Sequence, residues 1–129
     1  MSHGRDSLRT PLGRVRGLGS AKRGTGHFVV QRVTAIALVP LTLWFVWAVA
    51  AHAGAPVSVA GRFLSHPVNS GLMLLFTATA IWHFKLGVQV VIEDYITAEG
   101  LKIAALLANI FFAVALIAAC ALAILKLAV

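Results

Sequence analysis

Three long apolar runs divide the chain, with polar residues gathered before and between them. From Val33 to Ala51 the run VTAIALVPLTLWFVWAVAA contains no charged side chain. As a helix rising 1.5 Å per residue it extends roughly 28 Å, close to the hydrocarbon thickness of a bilayer. A second run reaches from about Asn69 to Ile92, and a third, from about Lys102 to Leu125, has no charge after its first residue. Each is long enough to span, so the pattern predicts three transmembrane helices. Pro40 removes a backbone donor from the first and is expected to kink it, a defect that neighbouring groups in a membrane bundle can re-satisfy. Residues 52–68, with Gly54, Pro56, Arg62 and Pro67, read as one connection; EDYITAEG, holding Glu93, Asp94 and Glu99, reads as the other.

Residues 1–31 carry Pro11 and a glycine-rich stretch interleaved with cations, a composition that resists regular helix. They read as a loosely ordered basic arm lying on anionic headgroups or on a partner, with residues 32–129 forming the three-helix anchor domain. The glycines do not make a phosphate-binding loop, because no strand precedes them and the Walker lysine pattern is missing. The cationic bias is shared with mitochondrial transit peptides, but the region is too long and too polar for a secretory signal. Arg5, Arg9, Arg14, Arg16, Lys22, Arg23, Arg32 and Lys102 mark one side of the membrane, against Arg62 and Lys126 on the other. The positive-inside rule therefore puts the arm and the second loop in the cytoplasm.

Composition agrees: of 129 residues 60% are hydrophobic and 12% charged, with a mean hydropathy of +0.91. This is a membrane composition, and it leaves no room for a soluble catalytic domain. The net charge of +7 would suit nucleic acid, yet most of the cations precede residue 33, so no nucleic-acid partner is expected. Cys120 stands alone in an apolar run and reads as a packing residue. No Ser-His-Asp order, soluble carboxylate pair or zinc spacing appears, which argues against hydrolysis. In the third helix Ala104 and Ala108, then Ala115, Ala119 and Ala123, recur at four-residue spacing and would let another helix approach closely.

The informative segment is the second helix, where His83, Lys85 and Gln89 interrupt an apolar run. An ionisable group at mid-membrane costs about 3 kcal/mol on insertion scales, so it normally faces protein, water or a cofactor. At 100° per residue, Leu86, Gly87, Val90, Val91 and Asp94 return near the His83 face, Asp94 only about 20° away. Gly87, one turn from His83, removes the bulk that would keep a planar group such as haem from the helix. An imidazole can bind haem iron through one nitrogen while an acceptor holds the other N–H. The same histidine can equally bond a neighbouring helix or relay protons. Lys85 lies some 200° from that face, with Gln89, and is expected to snorkel to the cytoplasmic interface or meet a partner. His3, His52 and His66 are weaker candidates, and His27 is expected to be solvated.

The stretch His83-Phe-Lys-Leu-Gly87-Val-Gln89-Val-Val-Ile-Glu-Asp94-Tyr95 resembles the haem-and-quinone segment of the small hydrophobic anchor subunits, the D-type subunits, of succinate dehydrogenase. In that family a His is followed by a Gly four residues on, a Gln two beyond it, and a closing Asp-Tyr pair. Arg32-Val-Thr34-Ala-Ile-Ala-Leu is similar to the start of the family's first helix, and the arm PLGRVRGLGSAKRGTGH looks like the form in bacteria related to mitochondria. The likeness covers nearly the whole chain, with its specificity in residues 83–95 and 32–38. Lys85 departs from it, standing where an apolar or aromatic residue is expected.

The resemblance implies an all-α membrane anchor subunit of succinate dehydrogenase (succinate:ubiquinone oxidoreductase, complex II), non-catalytic by itself. His83 is then one axial ligand of haem b, shared with a companion cytochrome b anchor subunit that supplies the other. Tyr95 hydrogen-bonds a ubiquinone carbonyl, Asp94 arranges the charge beside it, Arg32 serves a haem propionate or the quinone network, and Gly87 packs against haem. A flavoprotein subunit, an iron–sulphur subunit and membrane lipids are the implied partners. The implied location is a bacterial inner membrane with a cytoplasmic amino end, in preference to the mitochondrial inner membrane. The alternatives are an anchor of a fumarate reductase-type complex, a cofactor-free assembly subunit, and a proton conduit through His83, Lys85 and Glu93.

Overall fold

The computed structural model describes the backbone from Ser20 to Val129 and the side chains from Thr25 onward; the arm's first residues, 1–19, lie outside the described part. The described residues form four helices and no strand: α1 (Ser20–Ala51), α2 (Val57–Ser65), α3 (Pro67–Tyr95) and α4 (Glu99–Ala128). Three stretches, Thr25–Ala51, Pro67–Tyr95 and Glu99–Ala128, are long and apolar enough to cross a membrane. The protein is all-helical and membrane-integral with three spans, as the hydropathy predicts. It divides into two compact units, one ending at Arg32 and the other comprising Val33–Val129.

The element boundaries differ from the sequence reading in three places. Helix α1 begins at Ser20, so residues 20–31 of the expected loose arm are helical. A helix already nucleated gains one hydrogen bond for each residue added, which offsets the unfavourable glycines at 24 and 26. One turn after Phe28, the Arg32 guanidinium lies 5.1 Å from that ring's centroid and adds a cation–π contact along the helix. Pro40 sits inside α1, which continues through it.

The first connection is not plain loop, because Val57–Ser65 forms the short helix α2, with Leu64 buried and Val57 exposed. Gly54 makes the turn after α1 at φ 76°, where a side chain would be strained. Helix α3 starts cleanly: Pro67 occupies the first turn, His66 Nδ1 accepts from the Val68 N–H at 3.3 Å, and Asn69 Nδ2 donates to the Phe63 carbonyl at 2.9 Å. The acidic loop, in turn, shrinks to residues 96–98. Glu93, Asp94 and Tyr95 complete α3, and Glu99 opens α4.

Helices α3 and α4 pack closely, and Ala113, 2% exposed, is the small residue that admits the approach. Asn109 Nδ2 on α4 donates to the Lys85 carbonyl on α3 at 2.9 Å. The predicted alanine stripe is not at this contact: Ala104, Ala108, Ala115, Ala119 and Ala123 are all exposed. Aromatic side chains join α1 to its neighbours: Phe45 stacks on Phe76 with ring centroids 4.5 Å apart, and Trp44 on Phe63 at 6.1 Å.

The interior is thin. The buried apolar residues are Leu41, Ala48, Leu64, Leu86, Ile92, Ala113 and Ile124, while Ile36, Leu43, Phe111 and Leu122 are each about two-thirds exposed. Such a surface is intolerable in water and ordinary in lipid, where the van der Waals fit and hydrogen bonds between helices set the packing. Replacing Asn109 by Leu should lower the stability of the α3–α4 pair by about 1 kcal/mol, the usual scale of an interhelical hydrogen bond in a membrane protein. Detergent-titration unfolding of the purified protein measures it.

Candidate functional site

The site grows out of one apolar helix that must seat an imidazole. His83 lies in α3, half-buried, and its Nδ1 is 2.9 Å from the Thr34 hydroxyl of α1. Forty-nine residues separate the two, so this bond is tertiary, between the first and second spans. It engages one ring nitrogen, and no described residue hydrogen-bonds the other, Nε2. One turn on, a Cβ built at Gly87 would meet nothing within 4 Å, so the glycine borders open space. Val90 and Asp94, on the same face, are exposed. A ring nitrogen with no partner among the described residues, beside a bare backbone on an open apolar face, leaves room for a planar group that takes a nitrogen ligand.

The site's polar end is the last turn of α3. Tyr95, its final residue, is 80% exposed, and the Asp94 carboxylate is exposed beside it. At 1.5 Å per residue the twelve-residue rise from His83 to Tyr95 is roughly 18 Å, so the imidazole lies inside the span and the phenol at its end. Arg32 belongs to the first unit, exposed and stacked on Phe28. Of the predicted site residues, α3 therefore brings His83, Gly87, Asp94 and Tyr95 into one helical series.

Lys85 does not snorkel out of the protein. It is 8% exposed, its Nζ donates to Gln89 Oε1 at 3.0 Å and lies 4.7 Å from the Trp82 ring centroid. An acceptor one turn ahead and an aromatic face one turn behind replace the water that the ammonium would otherwise seek. His52 is taken up locally, its Nδ1 donating to the Ala48 carbonyl at 2.8 Å and its ring lying against Phe63. His27 is not solvated as expected: its Nε2 is shielded and has no partner among the described residues. No three His, Cys, Asp or Glu side chains converge among those residues.

Two residues that sequence reasoning did not single out shape the site. Thr34 was visible only as part of a family segment, because the rotation of one helix against another is not encoded in the periodicity of either. Asn109 had a signal, being the one carboxamide in the third apolar run.

Comparison with known proteins gives a consistent picture. The family model for the succinate dehydrogenase/fumarate reductase transmembrane subunit matches residues 6–124. The succinate dehydrogenase hydrophobic membrane anchor subunit of Rickettsia bellii is 35% identical over 87% of this chain and 90% of its own length. That of Paracoccus denitrificans is 32% identical over 92% of this chain and 91% of its own length. No solved structure matches the chain significantly.

Thr34→Val keeps the shape of the side chain and removes the hydroxyl that His83 Nδ1 meets. In protein with 15N-labelled histidine, the His83 Nδ1 resonance should shift while those of His52 and His66 stay in place.

Proposed function

The chain belongs to the succinate dehydrogenase/fumarate reductase transmembrane subunit family, and from that membership we propose that it anchors a succinate dehydrogenase in the membrane and helps bind haem b and ubiquinone. It is a non-catalytic anchor subunit, and the flavoprotein and iron–sulphur subunits that such an anchor serves carry out succinate oxidation. A companion cytochrome b anchor subunit completes the membrane part. The membrane is a bacterial inner membrane, with the amino-terminal arm and the α3–α4 connection on the cytoplasmic side, as the cation distribution favours.

The observation that carries the cofactor reading is the state of His83: one nitrogen held by Thr34, the other with no partner among the described residues, and open space at Gly87. In this reading His83 would hold haem b, Gly87 would leave room for it beside α3, and Arg32 would serve a propionate or the quinone network. Bound there, haem would supply a one-electron redox centre. In this reading the Thr34 hydroxyl accepts a hydrogen bond from His83 Nδ1–H, which would leave Nε2 unprotonated and aimed, the task of an outer-shell partner at a metal-bound histidine.

Tyr95 and Asp94 act at the other end of the series. The exposed phenol donates a hydrogen bond to a ubiquinone carbonyl oxygen, and this bond strengthens as the oxygen gains negative charge during reduction. Asp94, exposed one residue earlier, accepts protons from the aqueous side and passes them towards the reduced oxygen. Electrons arrive from the iron–sulphur subunit at the cytoplasmic surface, so the site needs its proton donors at the end of α3, where these two residues stand.

One observation favours a second reading. The Thr34–His83 bond joins two helices, which is also what a purely structural histidine in a cofactor-free assembly subunit would do. Reduced-minus-oxidised spectra of the purified complex separate the two. His83→Ala should abolish the low-spin b-type spectrum, and an unchanged spectrum would remove His83 as a ligand. Gly87→Leu should also depress haem content, because its side chain occupies the space left open beside His83. Tyr95→Phe should preserve assembly and slow quinone reduction roughly tenfold or more, the scale of a hydrogen bond to a developing charge. Succinate:quinone turnover at the parental rate would exclude it.

A further inference from the structure

The face of α3 turned away from His83 carries a polar series that neither the haem nor the quinone reading uses. Lys85 Nζ donates to Gln89 Oε1 at 3.0 Å, and Gln89 Nε2 donates to Glu93 Oε1 at 3.1 Å. The three residues stand one turn apart, and their exposure rises along the series: Lys85 is buried, Gln89 half-buried and Glu93 exposed. The amide spans an ammonium and a carboxylate too distant to touch, offering its oxygen to the cation and its N–H to the anion.

The end of α3 shows why such a series matters. A helix carboxyl terminus holds partial negative charge and favours cations, yet the last turn of α3 contains Glu93 and Asp94 and no basic residue. Its terminal backbone closure is the Ile96 N–H bonded to the Ile92 carbonyl at 3.0 Å. Lys85 is two turns back. It brings positive charge towards the acidic end only through Gln89, and the Trp82 ring and the bond from Asn109 to its carbonyl hold it in place. Glu93, drawn back along the helix by Gln89, is thereby balanced. No described residue hydrogen-bonds or pairs with the Asp94 carboxylate one position on.

We infer that the Lys85–Gln89–Glu93 ladder is a positioning device for the quinone end of α3. It keeps the last turn helical against its own charge, holds Tyr95 at a fixed rotation, and leaves Asp94 as the one uncompensated carboxylate beside it. Lys85 and Glu93 are positioning residues, acting through the backbone of α3 and not on the substrate. This inference rests on the quinone reading of Tyr95 for its functional readout, though not for its structural one.

The test uses the purified complex with Lys85→Met, Glu93→Gln and the double variant, none of which adds bulk or a new charge inside the span. Two measurements are made: backbone hydrogen exchange of residues 90–95, and KM and kcat for a soluble ubiquinone analogue, with succinate-to-dye reduction as the control for the upstream subunits. Each single variant should accelerate exchange and raise KM roughly fivefold, the factor matching one hydrogen bond's net contribution, with kcat and dye reduction little changed. The double variant should be no worse than either single one, because both break the same ladder. Lys85→Arg, which can still reach Gln89, should restore both values. Parental exchange rates in the single variants, or additive effects in the double, would overturn the ladder. Accelerated exchange with an unchanged KM would uphold the ladder and instead remove Tyr95 from the quinone site.

Discussion

Hydrocarbon offers no hydrogen-bond partner, and a polar atom carried into the membrane costs free energy unless it finds one. Helical backbone satisfies itself, so the constraint falls on a few side chains. The bond between Thr34 and His83 is its main expression in this fold. It is a polar link between α1 and α3, beside the stacked rings of Phe45 and Phe76, and it engages one of the two imidazole nitrogens. The Asn109 bond to the Lys85 carbonyl plays the corresponding part between α3 and α4. Two hydrogen bonds thus tie α3 to its neighbours on both sides and fix how that helix is turned.

That rotation distributes function around α3. One side bears His83, open space at Gly87 and the exposed Asp94; the other bears the buried Lys85 and its acceptors. Placing the imidazole and the charge balance of a helix end on different sides of one helix lets each be built without crowding the other. It also explains how an ammonium can sit deep in a span. Lys85 is bracketed by an amide oxygen and an indole, and neither demands a further charge in the bilayer.

Sequence reasoning reached the spans and the His83 stripe because both follow from local repetition: long uncharged runs, and a period of 3.6 residues within one helix. It stopped too early at the ends of elements. The chain from Ser20 to Gln31 joins α1 despite its glycines, because extending an existing helix is cheap, and Val57–Ser65 folds as a helix inside what composition marked as loop. The partner of His83 and the burial of Lys85 were out of reach for a different reason. Both depend on how helices are rotated against each other, information carried by shape at contacts such as Ala113 and Phe45–Phe76 and not by the pattern of any one segment.

The thin interior has an evolutionary consequence. Where a side chain points at lipid, selection asks only that it be apolar, and one aliphatic residue replaces another at little cost. A fold with so few enclosed positions can drift far in letters while its hydropathy and its handful of hydrogen bonds stay put. The modest identity of relatives that nonetheless match over nearly their full length is what such drift leaves behind.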